Sequence, residues 1–360
     1  YLRTSILCHH ESVLVIQVGQ TSNKGIEIAL QGVLIKNRDW NVTAGFNINF
    51  NRGKVDKLAD NVTGLYGTEW ATSSTFPKSD YVLKEGRPVG LVRGLTADGF
   101  YTTNDFTYEN GVYTLKKGVP DVTSAVFPNY HLHSGMNERP AGQLAYPGMA
   151  KFKDLNDDGF INDDDVDVIG DMTPIHTGGF NINATYKNFD LGLYFNWSYG
   201  NEIYNVNKLA ALYGYKEGAV YENKLSIVKD CYKIYDVVNG ELVALTTPEQ
   251  LNAANANAKL PLAYSENGYV STLGIEDGSY LRLNTLTLGY TLPKSVLQKA
   301  GISNLRVYGS IYNVFTITGY SGIDAEVSTS TSTKTYPQLG MDWGTYPRAR
   351  SFVLGVNLSF

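Results

Sequence analysis

Residues Trp40 to Asn51 read WNVTAGFNINFN. They put Trp40, Val42, Ala44, Phe46, Ile48 and Phe50 on one side of an extended chain, and Asn41, Thr43, Gly45, Asn47, Asn49 and Asn51 on the other. A period of two held over 12 residues excludes a helix here, because helical apolar positions recur every three or four residues. It predicts a long strand with one dry face and one wet face.

The same alternation recurs along the chain. Lys24 to Lys36 places Ile26, Ile28 and Leu30 on one face, and Asn37-Arg38-Asp39 turns it into the Trp40 strand. Phe180 to Tyr186 and Phe189 to Tyr199 form a second predicted hairpin around Lys187-Asn188. Tyr280 to Leu292, Leu305 to Phe315 and Ser351 to Phe360 complete the set. Between them, residues 52–80, 94–150, 200–270 and 318–348 are rich in Gly, Asn, Ser, Thr and Tyr and show little period. Within them, Thr247 to Lys259 is a helix candidate, with Thr247 as cap and Pro248 in the first turn.

Tight turns on one side and long connections on the other describe an outer-membrane barrel. Alternation alone also fits a soluble sandwich, but two features point to lipid. Trp40 and Phe50, Trp197 and Tyr199, and Phe352 and Phe360 stand near strand ends, where aromatic girdles meet the headgroups. The opposite rows carry Asn, Thr, Gly and Ser with few charges; only 18% of the chain is charged, against about 25% in an ordinary globular protein. No apolar run is long enough for a membrane helix, which says nothing about strands. The expected fold is all-β: an antiparallel transmembrane barrel segment of about eight to ten strands. The net charge of −5 gives no attraction for nucleic acid. Cys8 and Cys231 cannot build a disulfide framework.

One stretch has the spacing of a calcium loop. Asp154, Asn156 and Asp158 fall at its first, third and fifth positions, and Gly159 supplies the sharp turn. Phe160 would offer its carbonyl, Ile161 an apolar anchor and Asp165 the closing carboxylate. Asp165 is shorter than the glutamate usual at that position, so its bidentate reach is less. The expected cofactor is a structural Ca2+. Cys8-His9-His10 and the pair His131 and His133 are weaker metal candidates, since adjacent ligands rarely converge on one ion. No nucleophile elbow, zinc-protease, P-loop or dinucleotide signature is present, so no enzyme is expected. Tyr66, Trp70, Tyr101, Tyr213 and Tyr215 lie in the long connections, where aromatic rings would stack on sugars.

Several segments together resemble the C-terminal part of SusC/RagA-type TonB-dependent outer-membrane transporters of Bacteroidetes. They are NKGIEIAL from Asn23, WNVTAGFNINFNRGKVDKL from Trp40, the stretch from Lys151 to Asn205, the stretch from Ser279 to Val327 and the closing YPRARSFVLGVNLSF. The likeness runs from residue 23 to 360 and leaves 1–22 as a divergent segment. It implies a barrel of about 22 strands around a plug, with plug and earlier strands outside this chain, which would make it a C-terminal piece. It further implies import of oligosaccharides or peptides, a SusD-like lipoprotein as lid, and TonB as energy source through the absent N-terminal part. Phe360 would act as the assembly signal. The competing expectation is a soluble or surface calcium-stabilised glycan-binding module.

Overall fold

The computed structural model describes residues 3–7, 13–17, 19–73, 75–127, 139–213, 225–263, 268–297, 301–329 and 339–360. Its framework is one seven-stranded antiparallel wall. The strands are β1 (Gly19–Lys36), β2 (Trp40–Leu58), β3 (His176–Tyr186), β4 (Phe189–Tyr199), β5 (Tyr280–Thr291), β6 (Asn304–Thr318) and β7 (Ser351–Ser359). They lie side by side in chain order, each paired with the next.

Register makes the alternation collective. Ile28 stands opposite Ile48 and Leu30 opposite Phe46. Phe46 then faces Phe180, Phe180 faces Phe195, Phe195 faces Leu283 and Leu283 faces Phe315. The apolar rows therefore join into one outward surface, and most of it is exposed: Leu30 is 64% exposed, Phe352 71% and Leu354 89%, with Leu283 covered by its neighbours. A sandwich would cover such a surface with a second sheet. In lipid it needs no cover.

Two aromatic rows bound this surface. At the tight-turn end Trp40 packs at a tilt against Tyr186 with ring centroids 4.4 Å apart, and Phe189 against Tyr290 at 4.7 Å. At the other end Phe50, His176 and Tyr199 make ring contacts of 5.5 and 5.0 Å. Ten residues separate Trp40 from Phe50. At about 3.3 Å per residue and a tilt of about 40°, that run rises about 25 Å, the height of an outer-membrane apolar band.

The expected strand count of about eight to ten is corrected to seven in the wall. Val13–Gln17 pairs only with Arg3–Leu7, as a separate hairpin. The wall itself begins at Gly19, four residues before the boundary expected at residue 23. Closure into a cylinder is not seen: β1 and β7 are the two ends of the strand order.

The long connections are not the aperiodic loops their sequence suggests. The described residues within 59–175, 200–279 and 319–350 pack together as a body beyond the end of the wall opposite the tight turns. A four-stranded sheet joins Val166–Asp171, Leu91–Leu95, Tyr81–Leu83 and Leu65–Gly67. A three-stranded sheet pairs Glu202–Asn205 with both Ile275–Asp277 and Met341–Asp342. The strands are two to six residues long, too short for a visible period. The core is aromatic: Tyr81, Tyr101, Tyr113, Tyr146, Tyr204 and Phe152 are almost fully buried. Each such ring removes about 150–250 Å² from water, a gross gain of about 4–6 kcal/mol at ~25 cal/mol/Å². Their hydroxyls tie distant segments together. Tyr113 donates to the Thr246 carbonyl at 2.9 Å, and Tyr81 to that of Leu339 at 2.9 Å. The expected helix is present as Pro248–Ala254, capped by Thr247 through a reciprocal bond with Gln250. A second helix, Val206–Tyr213, was not expected.

Leu193 lies midway along the outer face, between Ile182 and Leu286. Leu193→Arg should destabilise the complete barrel by about 2–4 kcal/mol in lipid, whereas Asn181→Lys on the inner face should cost far less. Urea unfolding in liposomes measures both; equal costs would mean that the outer row does not face hydrocarbon.

Candidate functional site

The inner face of the wall and the underside of the body define the candidate transport surface. The inner rows include Asn41, Thr43, Asn47 and Asn49 on β2, Asn181, Asn183 and Thr185 on β3, and Tyr194 and Asn196 on β4. Tyr194 donates to Asn183 Oδ1 at 3.1 Å, and Asn183 Nδ2 to Asn181 Oδ1 at 3.2 Å. Near the tight turns Arg306 of β6 grips Asp190 of β4 through two bonds of 2.8 and 2.5 Å. Gly289 lies between them, because a Cβ there would meet both the carboxylate and the guanidinium.

The body is fastened to the wall by a buried ion network. Arg282 of β5 is 3% exposed. Its Nε donates to Thr316 Oγ1 at 2.9 Å, its Nη1 to Glu326 at 3.0 Å, and its Nη2 to Asp324. Arg348 closes the set, 3.3 Å from Asp324 and 2.9 Å from Glu326. Two cations thus face two carboxylates, and both ends of residues 319–350 are held at one point. The sequence carried one signal of this: Arg282 is the lone cation in the inward row of β5.

Further out, Asn205, Lys208 and Ser321 converge on Glu276. Lys208 Nζ lies 3.1 Å away, and the Ser321 amide and hydroxyl each donate at 2.9 Å. Burial pushes the Glu276 carboxyl up, but these bonds outweigh it and hold it below the usual carboxylate range. Tyr320 donates to Asp342 at 2.6 Å, and burial pushes its phenol far up.

The calcium-like loop has the expected backbone turn. Asp157 and Gly159 adopt positive φ of 58° and 86°, and Ile161 is fully buried as its anchor. Asp154 Oδ2 accepts the Gly159 amide at 2.7 Å, Asn156 Oδ1 the Asp158 amide at 3.2 Å, and Asp158 Oδ1 the Phe160 amide at 2.8 Å. The Phe160 amide, followed by the Asn156 side chain, holds the Asp158 carboxyl below its usual range. Asp165 is fully buried, its oxygens accepting the Leu155 and Asn162 amides at 2.7 and 2.8 Å. Among the described residues no group of three or more His, Cys, Asp or Glu side chains is arranged around a common metal position.

The aromatic candidates separate. Tyr66 is 49% exposed, with the Arg93 guanidinium 4.8 Å from its ring centre. Trp70 is half-buried, edge-on to Tyr204 at 6.4 Å. Tyr101 belongs to the core, fully buried and donating to the Pro120 carbonyl at 2.6 Å; in this conformation it offers no face to a sugar. Tyr213 ends the helix Val206–Tyr213. Tyr215, His131, His133 and Cys8-His9-His10 lie outside the described residues.

No family model matches the chain. It is 30% identical over 348 residues to the TonB-dependent receptor P3 of Formosa agariphila, covering 95% of this chain and 29% of that protein. It is 23% identical over 350 residues to the TonB-dependent receptor SusC of Bacteroides thetaiotaomicron, covering 95% of this chain and 27% of that one. Structures of the RagAB peptide importer in its closed-closed and open-open states superpose with TM-scores of 0.64 and 0.61, at 22% and 21% identity, over 97% of this chain. The chain belongs to the SusC/RagA type of TonB-dependent receptors. It spans less than a third of the length of these relatives. SusC/RagA-type receptors are outer-membrane proteins of Bacteroidetes and are not enzymes, and the lipid-facing wall described above fits that location. The soluble-module expectation falls with it.

Arg282→Met should leave the buried Asp324 with only the half-exposed Arg348 as counter-charge, a loss of up to about 3–5 kcal/mol confined to residues 319–350. Limited trypsin digestion of the detergent-solubilised receptor should then cut at Arg348 while the strands stay protected. An unchanged digestion pattern would show that the network does not hold this connection.

Proposed function

We propose that this segment is part of an active importer of the outer membrane, taking up peptides or oligosaccharides with energy from TonB and with a SusD-like lipoprotein as lid. The observation that carries the reading is the pairing of a lipid-facing wall with a polar inner face and an ordered body beyond one end. Completed by further strands, a wall of this kind would enclose a wet path, and the body beyond it is where a large solute would meet selective groups before entering. Peptides are the first class to test, since the superposing structures are of a protein described as a peptide importer. Exposed Tyr66 and half-buried Trp70 are the aromatic groups open to a sugar in the other case.

The 154–165 loop fits the same reading as a structural brace. Asp154, Asn156, Asp158, the Phe160 carbonyl and Asp165 would supply oxygens to Ca2+, each giving up or sharing a present amide bond. Phe360, 89% exposed just beyond β7, is proposed as the aromatic mark that barrel assembly requires.

Deletion of the gene for the complete receptor should abolish growth on its substrate while leaving growth on free monomers intact. Defined peptides and oligosaccharides as sole nutrient separate the two substrate classes. Unchanged growth on every oligomer would sink the importer reading. Calorimetric titration of Ca2+ should give heat that Asp158→Asn abolishes; no heat in the unmutated receptor would remove the brace.

A further inference from the structure

A cavity of about 640 Å³ opens between the second and third long connections, within the range of about 300–1,000 Å³ usual for small-molecule sites. Its walls include Asn205, Asn207, Lys208, Asp230, Asp342 and Thr345. Most of these groups are fixed by partners. Asn207 Nδ2 donates to Asp342 Oδ1 at 3.0 Å, and its own oxygen accepts the Gly344 amide at 3.0 Å. Thr345 donates to Asp342 Oδ1 at 2.8 Å and Tyr320 to Oδ2 at 2.6 Å. The frame is therefore set before any ligand arrives.

The charges do not balance. Lys208 is met by Glu276 at 3.1 Å. Among the described residues Asp342 meets no cation, although it is only 1% exposed. Asp230, exposed at the rim, has no polar partner for its carboxylate among the described residues. Two carboxylates thus face the cavity without a counter-charge. Such a concave surface concentrates cations, and partial burial strengthens the attraction. The surrounding amides and hydroxyls suit a small hydrogen-bonding cation better than a guanidinium fork, which needs a paired carboxylate face.

We propose that this cavity binds the primary ammonium group of the imported substrate, with Asp230 as its direct partner and Asp342 setting the negative potential behind it. The assignment rests on the importer reading above and deepens it. An ammonium group can come from a peptide amino terminus or from an amino sugar.

The test uses the complete receptor in detergent, with trialanine, N-acetyl-trialanine and a glucosamine trimer as calorimetric probes. Trialanine should bind, and acetylation should weaken it at least about tenfold, the usual worth of a charge-assisted hydrogen bond. Asp230→Asn should cost a similar factor for the free amine and leave the acetylated peptide unchanged, and Asp230→Glu should restore binding. A glucosamine trimer that follows this pattern in place of trialanine assigns the amino-sugar source. Equal binding of all probes by both proteins, or no binding of any amine-bearing probe, overturns the proposal. A heat-modifiable receptor that imports its substrate but shows no amine dependence loses only this cavity assignment. The importer reading fails separately, by unchanged growth after gene deletion.

Discussion

A strand in hydrocarbon has no water to satisfy its backbone, so each N–H and C=O must be met by a neighbouring strand. The rest of this structure depends on that lateral ladder. Because side chains alternate, the ladder also sets which rows face out. Phe46, Phe180, Phe195, Leu283 and Phe315 share one row across five strands because the β2–β3 and β3–β4 pairings hold their register and bulges at Asn284 and Asn313–Val314 reset the phase of β5 and β6. A slip of one residue would turn an entire strand's Asn and Thr toward lipid. Tight turns at one end keep that register, and they force every long connection to the other end.

What gathers there is a second folding unit with a different logic. The wall is apolar outside and polar inside; the body is an ordinary water-excluding core, rich in tyrosine because a phenol can be buried and still donate across a segment boundary. The two meet through charge. Arg282 leaves the inner face of β5, and both of its charge partners are acids from residues 319–350. Each acid touches both arginines, so removing one member changes every remaining pair, and the contact acts as a single joint rather than as a sum of separate pairs.

The wall was legible in the sequence because alternation over ten or more residues has no competing explanation. All seven strands coincide with predicted runs; β4 matches its run, β5 and β7 stop one residue short, and the others run further, β2 as far as Leu58. The body was not legible. Its strands, such as Tyr81–Leu83 and Met341–Asp342, are shorter than any period, and its contacts join residues more than 100 positions apart, as between Tyr113 and Thr246. Tyr101 was expected to be open to a sugar because it lies in a long connection; its burial against the Pro120 region could not be read locally. At the calcium-like spacing Gly159 adopts a positive φ and Ile161 is buried. The spacing could not show that Asp165 already holds two backbone amides.

The cross-segment hydrogen bonds from Tyr81 and Tyr113, together with the sheet shared by Glu202–Asn205 and Met341–Asp342, have a consequence for how such receptors diversify. In most barrels each surface loop is free to lengthen, shorten or be exchanged without disturbing the others. Here three connections share one interior. An insertion that reshapes one must be accommodated by side chains belonging to the other two, so changes in selectivity are inherited as coordinated sets. Transplanting a single connection into a related receptor would carry over half of each buried contact and strand the remainder.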